Sequence, residues 1–170
     1  MISQPASIVR SVILIAIVAS AALGCSANPT SSAASNVPAG EVVRPNKHNS
    51  VGAHAASIAL RQVGVPYRYG GMTPTGFDCS GLVHYSYAHA GKNIPRTTAG
   101  QWAHLPPVEG HNMRAGDLLF FSISGKMSHV GMYLGDGRFV HAPSSGKVVA
   151  IESLSSDYYR KAFIRAARPR

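Results

Sequence analysis

The sequence predicts an α+β domain, with helices packed on an antiparallel β-sheet. Three observations carry this expectation. Between residues 53 and 104 the apolar positions follow helical spacing, and two of the segments stop at glycines. After residue 115 the apolar segments become short, partly alternating and separated by Gly, Asp and Ser, as strands are. The two textures follow one another instead of interleaving, which favours helices segregated from an antiparallel sheet over a βαβ arrangement.

The 170 residues leave room for one domain and an attached segment. Residues 1–24 read as an export signal. Arg10 is their only charge, and SVILIAIVASAALG is an apolar run closed by small residues and short for a membrane span. An uncleaved anchor is the alternative. The run ends in ALGC, which resembles the lipobox of bacterial lipoproteins, although Leu23 sits one place nearer the cysteine than usual and Ala22 takes the common leucine position. That resemblance implies cleavage before Cys25 and lipidation of its thiol. Cys79 would then be the only free thiol of the mature chain. Residues 25–50 are rich in Ser, Ala, Asn and Pro without an apolar period, and read as a tether. The globular domain is expected over 51–170, enough for one core.

Within that domain, 53–64 reads as a short helix stopped at Gly64, and 65–77 as a turn-rich loop. CSGLVHYSYAHAG, from Cys79 to Gly91, reads as a helix with Leu82, Val83, Tyr87 and Ala90 on one side. TTAGQWAHL is a further helix candidate, capped by Thr97 or Thr98. GDLLFFS, HVGMYLG, RFVHA, KVVAIES and AFIRAA read as strands.

Lys and Arg number 16 against 7 Asp and Glu, a net charge of +9. Such a balance favours anionic partners: an acidic polymer, anionic lipid or nucleic acid. Export and the lack of a concentrated basic stripe argue against nucleic acid. An acyl chain together with positive charge suits an anionic membrane surface.

Cys79 is the first chemical question. An isolated cysteine is most often a small buried hydrophobe. Here Asp78 and Ser80 flank it, which suits a cleft better than a core, and the helix start is expected to lower the thiol pKa. Gly76 and Gly81 leave the approach uncrowded. A cysteine nucleophile needs a base, and the base needs an orienting group. Of eight histidines, His129 and His141 flank VGMYLGDGRFV, a hairpin with Gly135–Asp136–Gly137 at its turn. A three-residue loop puts both histidines on one face, one diagonal step apart, and gathers Val130, Met132, Leu134 and Val140 on the other. A two-residue loop would put the histidines on opposite faces. The apolar set favours the first register. Metal binding is the competing use of Cys79, His129 and His141. Their wide spacing lacks the close ligand pairs of a structural zinc site, and leaves an open three-ligand site as the alternative.

PYRYGG, GFDCSGLV, PRTTAGQ, AGDLLFF and SHVGMYLGDGRFVHA, in this order, resemble the NlpC/P60 family of cell-wall peptidases, and within it the Spr-like lipoprotein murein endopeptidases. The resemblance runs from about residue 53 to the end. It implies a papain-like α+β fold, with Cys79 as nucleophile, His129 as base and His141 as the polar residue orienting the base. It further implies Tyr67 as an oxyanion donor, and Asp78, Ser80 and Arg96 as substrate contacts. No metal or other cofactor is implied. The expected reaction is amide hydrolysis in a peptidoglycan stem peptide or its cross-link, either D-alanyl–diaminopimelate or γ-D-glutamyl–diaminopimelate, by a monomer anchored through Cys25 in the envelope and facing the periplasm from the outer membrane. Acyl transfer on the same fold and non-catalytic wall binding are the alternatives.

Overall fold

The computed structural model describes residues 47–170. The export signal at 1–24, the lipidation at Cys25 and most of the tether fall outside the described residues. The last tether positions do not: helix α1 spans Lys47–Leu60 and takes in residues 47–50. No Pro falls between Lys47 and the alanine-rich segment, and the helix runs through Gly52 to join them.

The chain leaves α1 through turns to Gly64, whose φ of +91° is the left-handed conformation expected of a glycine stop. The turn-rich loop contains a small antiparallel ladder of β1 (Met72–Thr73) and β2 (Gly76–Phe77). Helix α2 follows immediately, Cys79–His89, and stops before Gly91, at φ +86°. Helix α3 is Thr98–His104, with Thr97 as its cap. Then come β3 (Pro107–Val108), a 3₁₀ turn at Gly110–Asn112, β4 (Leu118–Ile123), β5 (Lys126–Gly135), β6 (Arg138–His141), β7 (Ala150–Ser153), α4 (Asp157–Ala162) and β8 (Phe163–Ala167). The larger sheet has six strands in the order β3-β8-β4-β5-β6-β7, and every neighbouring pair is antiparallel.

Both faces of this sheet are covered, which explains why LLFF is apolar without alternation. Leu118, Phe120, Val130, Met132 and Val140 are fully buried on one face, against Ala55, Leu82, Val83 and Tyr87 of α1 and α2. Trp102 of α3 meets Phe120 edge-on, with the Arg165 guanidinium 3.7 Å from the indole ring centre. Leu119, Phe121 and Phe139 are buried on the opposite face, where Tyr159 and Phe163 pack on them.

The hairpin of β5 and β6 decides where the histidines go. Met132 pairs with Val140 and Tyr133 with Phe139, the register that the apolar pattern predicts. The tip differs from expectation. Gly135 pairs with Arg138, so the turn is the two residues Asp136 and Gly137, both at positive φ (+51° and +69°), as a type I′ turn requires. A bulge at Leu134 adds the odd residue, and the parity further along the strands is unchanged.

Candidate active site

The start of α2 is fixed by its own sequence. Asp78 is the N-cap, and its Oδ1 accepts from Gly81 N at 2.6 Å. Its Oδ2 accepts from Gly70 N at 3.0 Å and pairs with Arg96 at 2.8 Å. Ser80 Oγ donates to Asp78 and accepts from Arg96, whose guanidinium also donates to the carbonyl of Gly71. This network closes the loop, the helix start and the segment before α3 onto one another. Gly81 stands where a Cβ would overlap the carbonyl oxygen of Gly71, so the first turn of α2 can approach the loop only without a side chain there. Gly76 answers a similar need against the Arg68 side chain, and its φ is not positive.

Cys79, the first residue of α2, is partly buried. Thr98 Oγ1 lies 3.6 Å from its Sγ. The backbone N–H groups of Val130 and Ser80 are turned to the sulfur closely enough to favour its anionic form. β6 pairs with β5 only as far as Met132 and Val140, and the thiol meets β5 beyond that point, at the residue directly after His129. Cys79, His129 and Tyr67 line one cleft of about 550 Å³. Among the described residues the Tyr67 hydroxyl makes no hydrogen bond.

His129 and His141 share a face, as the register requires. His129 Nε2 is 2.8 Å from His141 Nδ1, and His141 Nε2 is 3.4 Å from the Tyr159 hydroxyl. Phe121 and Phe139 pack on these rings, with centroids 5.9 Å from His129 and 5.1 Å from His141 respectively. Burial in this aromatic setting lowers the pKa of His129 to about 4. Burial, with the charges of His129 and Lys147, lowers His141 to about 3. Both imidazoles are therefore neutral at pH 7.

The thiol corrects an expectation. Burial pushes Cys79 above its ordinary value, and the Asp78 carboxylate adds to this. The bonds from Thr98, Val130 and Ser80 pull the other way, as does the N-terminus of α2, and desolvation outweighs them. The resting pair is a neutral thiol and a neutral imidazole. Burial, the charges of Cys79 and Asp78, and that of Tyr69 raise Tyr67, which remains a phenol and a donor.

The structure thus brings Cys79, His129, His141 and Tyr67 to one place. It places Asp78, Ser80 and Arg96 in the network at the α2 start, and none of the three lines the cleft that holds Cys79 and His129. Two further residues of the site escaped the sequence reading. Thr98 was visible only as a candidate cap. Tyr159 lies on α4, a six-residue helix whose DYYRKA sequence carries no apolar stripe. Among the described residues no group of three or more His, Cys, Asp and Glu side chains could hold a metal ion, and the two histidines spend a nitrogen each on one another.

Residues 64–168 match the family model of the NlpC/P60 family. The chain is 45% identical over 121 residues to the murein DD-endopeptidase MepH of Escherichia coli (strain K12), covering 67% of this chain and 44% of that protein. It is 46% identical over 106 residues to the gamma-DL-glutamyl hydrolase of Bacillus subtilis (strain 168), covering 60% of this chain and 25% of that one. The crystal structure of an NlpC/P60 family protein from Bacillus cereus ATCC 10987 superposes with a TM-score of 0.65 at 32% identity, over 69% of this chain and 39% of that chain. The chain spans less than half the length of these relatives.

Proposed function

This chain belongs to the NlpC/P60 family, and from that premise we propose that it is a thiol peptidase hydrolysing amide bonds in the stem peptides of peptidoglycan or in their cross-links. The observation that carries the reading is that Cys79, His129 and Tyr159 line one cleft, with the buried His141 bonded between His129 and Tyr159 and both imidazoles neutral.

Two proton orders satisfy the row of ring nitrogens and hydroxyl. In one, Tyr159 donates to His141, His141 Nδ1–H donates to His129, and the proton of His129 sits on Nδ1. In the other, His129 Nε2–H donates to His141 Nδ1, and His141 Nε2–H donates to the Tyr159 oxygen. Only the second leaves His129 Nδ1 with a free lone pair, so only the second makes His129 a base. His141 and Tyr159 then act by holding that tautomer.

The thiol of Cys79 gives its proton to His129 as sulfur attacks the carbonyl carbon, since no thiolate is stored beforehand. Backbone N–H groups at the α2 start and the Tyr67 hydroxyl stabilise the oxyanion. The C–N bond breaks as His129 protonates the leaving amine, and a thioester remains on Cys79. Water attacks it with His129 again accepting a proton, the acid leaves, and the thiol is restored. Asp78, Ser80 and Arg96 support this step by fixing the helix start that presents the sulfur. Lipidation of Cys25 after export would hold the domain at the envelope beside its polymer.

The test is the product spectrum from purified sacculi. New soluble fragments that carry one new amine and one new carboxylate at a stem-peptide bond support the proposal, and their masses name the bond. Release of glycan-cut fragments, or no release, would refute it.

A further inference from the structure

Lys147 and Glu152 line the cleft that holds Cys79 and His129, and both also line an adjoining hollow of about 350 Å³ beside Pro143 and Tyr159. They arrive from different elements. Lys147 lies in the 143–149 loop, whose backbone is tied to the Tyr67 segment by a bond from Tyr67 N to Lys147 O of 2.8 Å. Glu152 lies on β7 opposite Phe139, while Ala150 lies opposite His141, so Glu152 shares the sheet face of the histidine row. The charge of Lys147 is felt at His141 and that of Glu152 at Tyr159, which puts both at the same end of the cleft. Among the described residues neither side chain takes part in an ion pair or a hydrogen bond. Two opposite charges that face one cleft without meeting each other are complementary to a ligand that carries both signs.

Resting on the stem-peptide reading above, we infer that this end of the cleft is a subsite for a zwitterionic amino-acid head group, one carbon bearing a free ammonium and a free carboxylate. Lys147 takes the carboxylate and Glu152 the ammonium. A side chain ending in an ammonium alone, as lysine does, engages Glu152 only. The subsite therefore distinguishes diaminopimelate-type from lysine-type stem peptides, through a carboxylate remote from the scissile bond.

The experiment uses the full chain carrying Cys79→Ala, so that binding is read without turnover. Two synthetic stem peptides, identical except for a diaminopimelate or a lysine residue, are titrated calorimetrically. The expected result is binding of the zwitterionic peptide about tenfold tighter, from one added charge-assisted contact. Adding Lys147→Gln abolishes that preference by weakening the diaminopimelate peptide alone, and adding Glu152→Gln weakens both. Both side chains are exposed, and unchanged melting temperatures confirm intact folds. Equal affinities in the parent, equal weakening of both peptides by Lys147→Gln, no effect of either substitution, or no binding at all would each overturn the inference. Turnover of the same peptides by the unsubstituted chain is measured separately. Its absence would sink the hydrolase reading, while a head-group preference in binding would still sustain the subsite.

Discussion

His129 Nε2 lies 2.8 Å from His141 Nδ1, with the rings close to perpendicular at 81°. In the proposed mechanism this contact holds the tautomer that leaves His129 Nδ1 free, so its loss should appear in turnover more than in binding. His141→Ala is expected to lower kcat about a hundredfold or more with KM little changed. His141→Asn keeps an acceptor and should retain more activity. Tyr159→Phe keeps the ring on Phe121 and Phe139 and removes only the hydroxyl, for a loss of about threefold to tenfold in kcat at an unchanged melting temperature. A purely packing role for Tyr159 would leave the phenylalanine variant fully active.

Cys79 and His129 are both neutral at rest, and reagent chemistry can show it. In full-length protein carrying Cys25→Ser, alkylation of Cys79 by iodoacetamide should be slow at pH 7 and still rising at pH 9. Burial is the cause, since it raises the thiol and lowers His129. A rate already on its plateau below neutrality would instead reveal a preformed thiolate–imidazolium pair.

Stability should depend on pH through the same histidines. Their unfolded value is near ~6.5, and burial lowers the folded values to about 4 for His129 and about 3 for His141. The unfolded chain therefore binds more protons across this interval. The stabilisation is fully present above pH ~6.5 and is lost as pH falls through the folded values. Urea midpoints should drop between pH 7 and pH 4.5, and less steeply in His141→Asn, which removes one of the two groups. A His141→Asn profile as steep as the parent's would contradict this origin.

Arg96 separates support from substrate contact. Its guanidinium is bound to Asp78, Ser80 and the Gly71 carbonyl, with 28% of the side chain exposed against 13% for Asp78. Arg96→Ala leaves a mostly buried carboxylate with fewer partners, and should destabilise by about 2 kcal/mol in urea unfolding. Stability unchanged with KM raised would return Arg96 to the role of a substrate ligand.

How much of this was legible in the sequence follows from the range of each interaction. The histidine pair was readable because strand parity is local, and the apolar set Val130, Met132, Leu134 and Val140 favoured the register that joins them. The turn type was misread, because a bulge at Leu134 lets a two-residue turn keep the parity of a three-residue one. Tyr159 was missed because α4 is short and partly exposed, and is placed by its packing on Phe121 and Phe139. The direction of the Cys79 shift was misjudged for a related reason. The helix start is written next to the cysteine, whereas the burial that outweighs it arises only when the rest of the chain packs around the thiol. Asp78, Ser80 and Arg96 were found as a set, but their mutual bonding appears only once the loop folds back on α2.

The role of the Cys79 sulfur is tested most directly by comparing muropeptide release from purified sacculi by the unsubstituted chain and by Cys79→Ala, at matched concentration and with melting temperatures recorded for both. The account predicts amide-cut fragments from the first and none above background from the second, with the two proteins equally folded. Equal release by Cys79→Ala would contradict it.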